Sequence, residues 1–562
     1  MISTAVVAAV VGFVPAVAQA ASPSATPGGA ATATAPAAGA GVGVGAAKEA
    51  AAQQEAAVEA AAERSAKDAA AKAEVRAEAE TAPKAAAAEP YFKVFTGVST
   101  SNAHSMGMAA GVSTDLKYVV VNYTVDWGDG TPAASEHGLG TEDVFLKHKY
   151  AKAGVHRITV TATEPVSKLT DTTTFEVVLD GSEFTPYTPT RLLDTRDGTG
   201  APAAGAVAAF GTTKVKVAGN GGIPAGVTAV ALNITATNAV GDGHVIAYAS
   251  GAKQPTTSNV NFTAGRTVPT LAIVPVGADG YVELANRSGG TVDLIADVTG
   301  YFAKTAANGY TSMNPARIAD TREGKGTAQG QAAGQSTFEV QVAGQGGLPA
   351  QGVAAVALNV TVTNPQGSGH LTVSPSGGQP SATSNLNFEP GQTVANAVIV
   401  PVGPDGRITV RNGSWSGTDV IVDVTGYYSA DGKAAYMPEE PTRVHDDRPW
   451  GLPLAGQDYY RHYVPQLFGS FDSVVMNVTV TNTQGGGHLS VAPDPNRTDD
   501  YLSGKAVRPT PPDSSVLNWE KGATVSNLVQ ASLKNTDTID VWNRSWSPTN
   551  LIIDVFGRYE TS

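Results

Sequence analysis

The sequence contains no cysteine in 562 residues. That excludes a disulfide framework, a thiolate zinc site, an iron–sulfur cluster and a cysteine nucleophile. Charge is also scarce: Asp, Glu, Lys and Arg make up 15% of the chain, against about 25% in ordinary globular proteins. The net charge is −13, so a phosphate backbone would be repelled and no nucleic-acid partner is expected. No later stretch reaches the ~18 consecutive apolar residues of a membrane helix, so no membrane span is expected. The motifs G-x-S-x-G, H-E-x-x-H and G-x-x-x-x-G-K-[ST] are missing, and no G-x-G-x-x-G lies between a strand and a helix. The chain is therefore expected to be no enzyme, with no catalytic residue, no metal and no cofactor.

The N-terminus is unlike the rest. An apolar run from Ala5 to Val14 is followed by Ala18-Gln19-Ala20, an A-x-A cleavage pattern, so residues 1–20 read as a secretory signal peptide. No Lys or Arg precedes the run, which points to a start further upstream. Residues 21–45 are Ala, Gly, Pro, Ser, Thr and Val without periodicity and predict a disordered linker. Residues 46–88 are dominated by Ala, Glu, Lys, Gln and Arg, strong helix formers. Their only large apolar residues are Val58 and Val75. That predicts a solvated single helix without a coiled-coil seam, or a plain Ala-rich linker, acting as a spacer either way.

From residue 91 to about 180 the composition turns to β-branched alternation. A strand candidate runs into Asp126-Trp127-Gly128-Asp129-Gly130, followed by His148-Lys149-Tyr150 and an alternating segment from Val155 to Ala162. An aromatic-Gly-Asp-Gly turn, then His-x-Tyr, then Gly and an alternating strand resembles the PKD domain family, Ig-like sandwiches common in secreted bacterial proteins. The resemblance implies a small β-sandwich that acts as a spacer or binding module. Asp126 and Asp129 fit calcium ligation less well than Asp-turn bonding to their own backbone.

The remainder is a threefold repeat. Pro189-Thr190-Arg191-Leu192-Leu193-Asp194-Thr195-Arg196 returns 126 residues later at Pro315 and again at Pro441. Each copy then shows a Val-Ala-Leu-Asn-Ile-Thr-like strand, a Gly-His pair (His244, His370, His488), a Ser-Asn-x-Asn-Phe-like segment and a closing Asp-Val-x-Gly-Tyr-like run. A period this long is a domain, not a solenoid turn or a propeller blade. The predicted fold is all-β: tandem β-sandwich or jelly-roll-like units over 184–303, 308–429 and 436–560, behind the sandwich at 91–180. Each unit is expected to fold by itself, like beads. Units with these opening and closing motifs resemble repeats of exported actinobacterial, Streptomyces-like proteins, which implies a secreted, extracellular or wall-associated location and no particular chemistry.

Candidate residues follow from the repeats and from what differs between them. Arg191, Asp194 and Arg196, with Arg317, Asp320, Arg322 and Arg443, Asp446, Arg448, are expected to form a structural ion-pair motif completed by the closing Asp297 and its equivalents. The three histidines are expected to pack over hairpins. Asn259 with Asn261, and Asn385 with Asn387, share a strand face, either tying loops or meeting sugar hydroxyls. The third unit holds four of the six Trp residues and carries a longer connection, 30 residues from His488 to Asn518 against 17 from His370 to Asn387. Exposed aromatic rings stack on sugars and anchor interfaces. Trp450, Tyr501, Arg508, Trp542 and Trp546 are therefore the candidate ligand-binding set, and Trp519, in a Phe slot, is expected in the core. The expected work is adhesion or presentation, with an extracellular glycan as the default partner. The alternative is an assembly protein whose repeats contact other surface proteins, with no sugar site.

Overall fold

The computed structural model describes residues 91–562 apart from 101, 118, 141, 379–382, 466–470 and 534–535. The expected signal peptide, linker and helical spacer lie outside the described residues. No helix among the described residues is long and apolar enough to cross a membrane.

The first domain is a sandwich of three and four antiparallel strands, from Phe92–Ser99 to Thr170–Val178. Its motif residues converge on one corner. The Asp126 carboxylate accepts from the Gly128 N–H at 2.9 Å, and Asp129 accepts from the Thr131 N–H at 3.0 Å. Both aspartates thus bond within the turn, as short polar side chains before Gly do. Asp129 also meets His148 Nε2 at 2.8 Å. The His148 ring stacks on Trp127 at 4.6 Å, and the Tyr150 hydroxyl donates to the Trp127 carbonyl at 3.2 Å. Burial raises the Asp129 pKa, but the bonds from Thr131 and His148 outweigh it and bring it to about 2.

Each repeat is an eight-stranded jelly roll. In the first, the inner sheet runs, in spatial order, Glu183–Asp194, Asp293–Ala303, Val227–Thr237 and Val268–Pro275. The outer sheet runs Thr212–Lys216, Tyr281–Asn286, Gly243–Ala249 and Val260–Phe262. Numbered along the unit, these orders are 1-8-3-6 and 2-7-4-5, all antiparallel, the double Greek key of a jelly roll. The second and third units repeat both orders.

The inner sheet is buried on both faces. Along Val227–Thr237, Val230, Leu232, Ile234 and Ala236 point into the unit's own core. Ala229 and Ala231 point the other way and are equally buried. The same holds for Ala355 and Ala357 in the second unit and Val475 in the third, and together they form one apolar cluster between the units. Seven aromatic rings complete it: Phe184 and Phe302, Tyr310 and Tyr428, and Tyr436, Phe556 and Tyr559. Tyr310 stacks on Tyr559 at 4.2 Å and Phe184 on Tyr428 at 4.1 Å.

The units therefore are not beads; they close a ring about a pseudo-threefold axis. Phe184 bridges to Asn308, Tyr310 to Ala434 and Tyr436 back to Ser182, so the segment before each unit is stitched to the first strand of its neighbour. Asn233 donates to the Ser384 carbonyl at 2.7 Å, Asn359 to that of Ser515 at 2.5 Å, and Asn477 to that of Ser258 at 2.6 Å. This is a head-to-tail contact repeated until it closes, the logic of a cyclic trimer written into one chain.

The Gly of the closing motif has its reason here. A Cβ on Gly300, Gly426 or Gly557 would run into the ring of Phe184, Tyr310 or Tyr436. Only glycine lets the first strand's aromatic lie across the last strand and reach the axis.

The first domain docks where the linkers meet. Glu183, buried, accepts from the Ala153 N–H at 3.0 Å and the Ala307 N–H at 2.7 Å, and pairs with Lys152 at 3.3 Å. The His104 N–H donates to the Ser562 carbonyl at 2.7 Å.

Candidate functional site

The repeated Arg and Asp residues lie at the seams of the ring. Arg191 Nε donates to Asp297 at 2.9 Å, and its Nη1 to Asp194 at 2.8 Å; Arg196 closes on Asp194 at 2.7 Å. Arg317, Asp320, Arg322 and Asp423 repeat this arrangement, as do Arg443, Asp446, Arg448 and Asp554. The Arg196 hydrogen bond holds the Asp194 carboxyl below the usual range, and Arg448 does the same for Asp446. The seam is shared: Arg317 Nη2 donates to the Asp513 carbonyl at 3.1 Å, and the Ser258 N–H donates to Asp554 at 3.3 Å. These charges hold strand to strand and unit to unit. Each aspartate is spent on its arginines, and the outer arginine of each motif, Arg196, Arg322 or Arg448, is exposed on its far side.

The histidines sit beside the same seams. Burial lowers the pKa of His244, His370 and His488, the last to about 4, and neighbouring arginines add to the effect. Arg443 of the third unit acts on His244, and Arg317 of the second acts on His488. They are neutral rings at physiological pH.

The outer sheet of the third unit gathers three of the five candidate ligand contacts. Tyr459 pairs with Trp542 across Asp458–Tyr463 and Thr538–Asn543, and their rings stack at 4.5 Å. The long connection folds down onto this face, with a short helix at Thr498–Leu502. Arg508 lies over Tyr459 and Trp542 at 5.6 and 5.8 Å, and Arg461 lies over Tyr501 at 3.5 Å. The Tyr501 hydroxyl donates to Asp494 at 2.5 Å. Trp542 is consequently 3% exposed. It is not the surface platform expected from the sequence: the insertion that was to frame it covers it. Beneath the cover, burial and the adjacent Asp494 carboxylate push Asp540 up to about 8.

Trp450 and Trp546 are exposed, at 64% and 90%. Trp450 ends a 3-10 turn, edge-on to His445. Trp546 tips the turn before the last strand, and its equivalent in the second unit, Trp415, is 89% exposed. Trp415 stands outside the candidate set, and the signal that marks it is its place in the repeat, in Asn-x-Ser-Trp-Ser like Trp546. Behind each tryptophan the turn is locked: Asn412 donates to the Ala332 and Ser416 carbonyls, and Asn543 to those of Leu454 and Ser547. Trp519 is buried as expected, with its indole N–H on the Gly485 carbonyl at 2.9 Å.

A further concavity opens on the axis. The inner strands run from the aromatic cluster, past the alanines, to the Asn233, Asn359 and Asn477 belt, and end at a cavity of about 340 Å³. This end is opposite the docked first domain. Asn261, Asn387 and Asn518 line it, with Thr267, Thr393 and Thr524, equivalent residues of the three units. The paired asparagines of each hairpin therefore divide. Asn259 and Asn385 are buried and accept from the Ala247 and Val373 N–H groups, tying loops, whereas Asn261 and Asn387 reach the cavity.

Residues 97–177 match the family model of the PKD domain. The search of curated proteins found no match. Among solved structures, similarity is found to one described as the triple jelly roll fold and turret assembly in an archaeal virus, 12% identical, covering 68% of this chain and 90% of that one, TM-score 0.14. An atomic structure of Sulfolobus Turreted Icosahedral Virus is 10% identical with the same coverage and TM-score. A tetra-tandem repeat from the extending region of a large adhesion protein is 12% identical, covering 84% of this chain and 100% of that one, TM-score 0.14. The chain thus joins a PKD domain to three tandem two-sheet β-sandwich units.

Proposed function

We propose that this is a non-enzymatic extracellular surface protein whose jelly-roll ring adheres to a polysaccharide or cell-wall glycan. The observation that carries the reading is the pair Trp415 and Trp546, equivalent residues of adjacent units and about nine-tenths exposed. An indole held in water on a locked turn adds nothing to the core, and its flat apolar face suits the C–H face of a sugar ring. The N-terminal apolar run with its A-x-A site supports export. The PKD domain, docked at the far end of the ring, leaves the turns free.

The test is retention of residues 91–562 on insoluble polysaccharides and cell-wall preparations. Trp415→Ala with Trp546→Ala should abolish retention while leaving the melting curve in place, since exposed substitutions shift stability by only about 0.5 kcal/mol. Retention unchanged in the double variant would refute the reading.

A further inference from the structure

We infer that the axial cavity is a binding site for a neutral mono- or disaccharide unit, built jointly by the three jelly rolls. The inference rests on the glycan-adhesion reading and gives it a second site, distinct from the exposed tryptophans.

The first observation is the chemistry of the lining. Asn387 Oδ1 accepts from the Ser384 hydroxyl at 3.1 Å and Asn518 Oδ1 from the Ser515 hydroxyl at 3.2 Å. In that arrangement each NH2 group, two donors, is unspent among the described residues. Asn261 is turned the other way: its Nδ2 donates to Ser258 and Ser526 at 3.2 and 2.9 Å, leaving its carbonyl oxygen as an acceptor. Thr267, Thr393 and Thr524 each share one hydrogen bond with a threonine on the neighbouring strand, at 2.7–2.8 Å. A hydroxyl has one donor and two acceptor positions, so each keeps capacity to spare. Donors and acceptors interleaved around one opening match sugar hydroxyls, which both give and accept.

The second observation is charge. Arg266 at the rim is paired with Glu389 at 3.6 Å, and Glu520 also lines the cavity. The lining is neutral to slightly acidic, so phosphates, uronates and other anions are disfavoured. The third is size. About 340 Å³ lies at the lower end of ligand pockets, which suits one or two sugar rings and excludes a folded partner. The cavity exists only because the ring closes; no single unit contains it.

The experiment uses residues 91–562 and a panel of neutral monosaccharides and disaccharides, including glucose, galactose, mannose, N-acetylglucosamine and their β-linked dimers, read by saturation-transfer NMR and calorimetry. At least one should bind. Asn387→Asp with Asn518→Asp removes the free amide donors at constant shape and adds repulsive charge, and should weaken that binding at least tenfold. The titrations are run in the Trp415→Ala, Trp546→Ala background, so that the axial site is read without the exposed indoles. Asn387→Trp, which plugs the opening, provides a second variant if the aspartates disturb folding, and should abolish binding. No binding by any panel sugar, or binding indifferent to both cavity variants in folded protein, overturns the inference. If polysaccharide retention still depends on the tryptophans in that case, the adhesion reading stands and only the axial site falls.

Discussion

A single repeat cut out of this chain should not behave as a free-standing domain. The second unit, residues 308–429, contributes Tyr310, Tyr428 and Ile399 to the cluster on the axis, together with Ala355 and Ala357. Tyr310 and Tyr428 are 1% and 0% exposed in the ring, and Ile399 0%. In isolation all three large side chains face water. Burying a large apolar side chain contributes about 1.5–3 kcal/mol, so three amount to about 4.5–9 kcal/mol. A domain holds only about 5–15 kcal/mol in total. The isolated unit also loses the Asn359 bond to Ser515 and the Tyr310 bridge to Ala434. Two outcomes fit: a molten monomer, or self-association that restores the missing faces, most simply as a trimer. The intact ring, by contrast, should melt in one transition. Light scattering after size exclusion, with calorimetry of 308–429 beside 182–562, reads all of this. A 308–429 fragment that is monomeric at micromolar concentration and unfolds cooperatively near the temperature of the ring would refute the shared-core argument.

Gly426→Ala places a methyl group against the Tyr310 ring and should cost about 1–3 kcal/mol, seen as a lower urea midpoint at unchanged slope. Asp540, raised to about 8 in the fold against 3.8 for a free carboxyl, binds its proton more tightly folded than unfolded. The contribution of Asp540 to stability should therefore fall as pH rises from about 4 to 8, so the melting temperature of the protein relative to that of Asp540→Asn should decline across that range. Deleting Arg497 to Arg508 removes Arg508 and Tyr501 from the third outer sheet, so Trp542 should become exposed, with a red-shifted and more readily quenched fluorescence; an unchanged spectrum would mean the insertion is not its cover.

The jelly rolls were legible in the chain because their signals are local. Period-two alternation, Gly and Pro turns and a 126-residue repeat specify strands, boundaries and copy number without reference to any partner. The ion-pair motif was legible for the same reason, since Arg191, Asp194 and Arg196 lie within one strand and the turn after it. What covers the second face of a sheet is not a local property. Val-Ala-Leu-Asn-Ile-Thr alternates in the same way whether Ala231 and Asn233 meet water or another domain, and only the closed ring shows them buried. The scarcity of charge was the hint that those faces stay dry. Trp542 illustrates the same limit: the strand pattern places it on the outer face, but only the fold of residues 494–512 buries it. The axial opening is the extreme case, because Asn261, Asn387 and Asn518 are separated by more than a hundred residues and share a site only once three copies have closed on one axis.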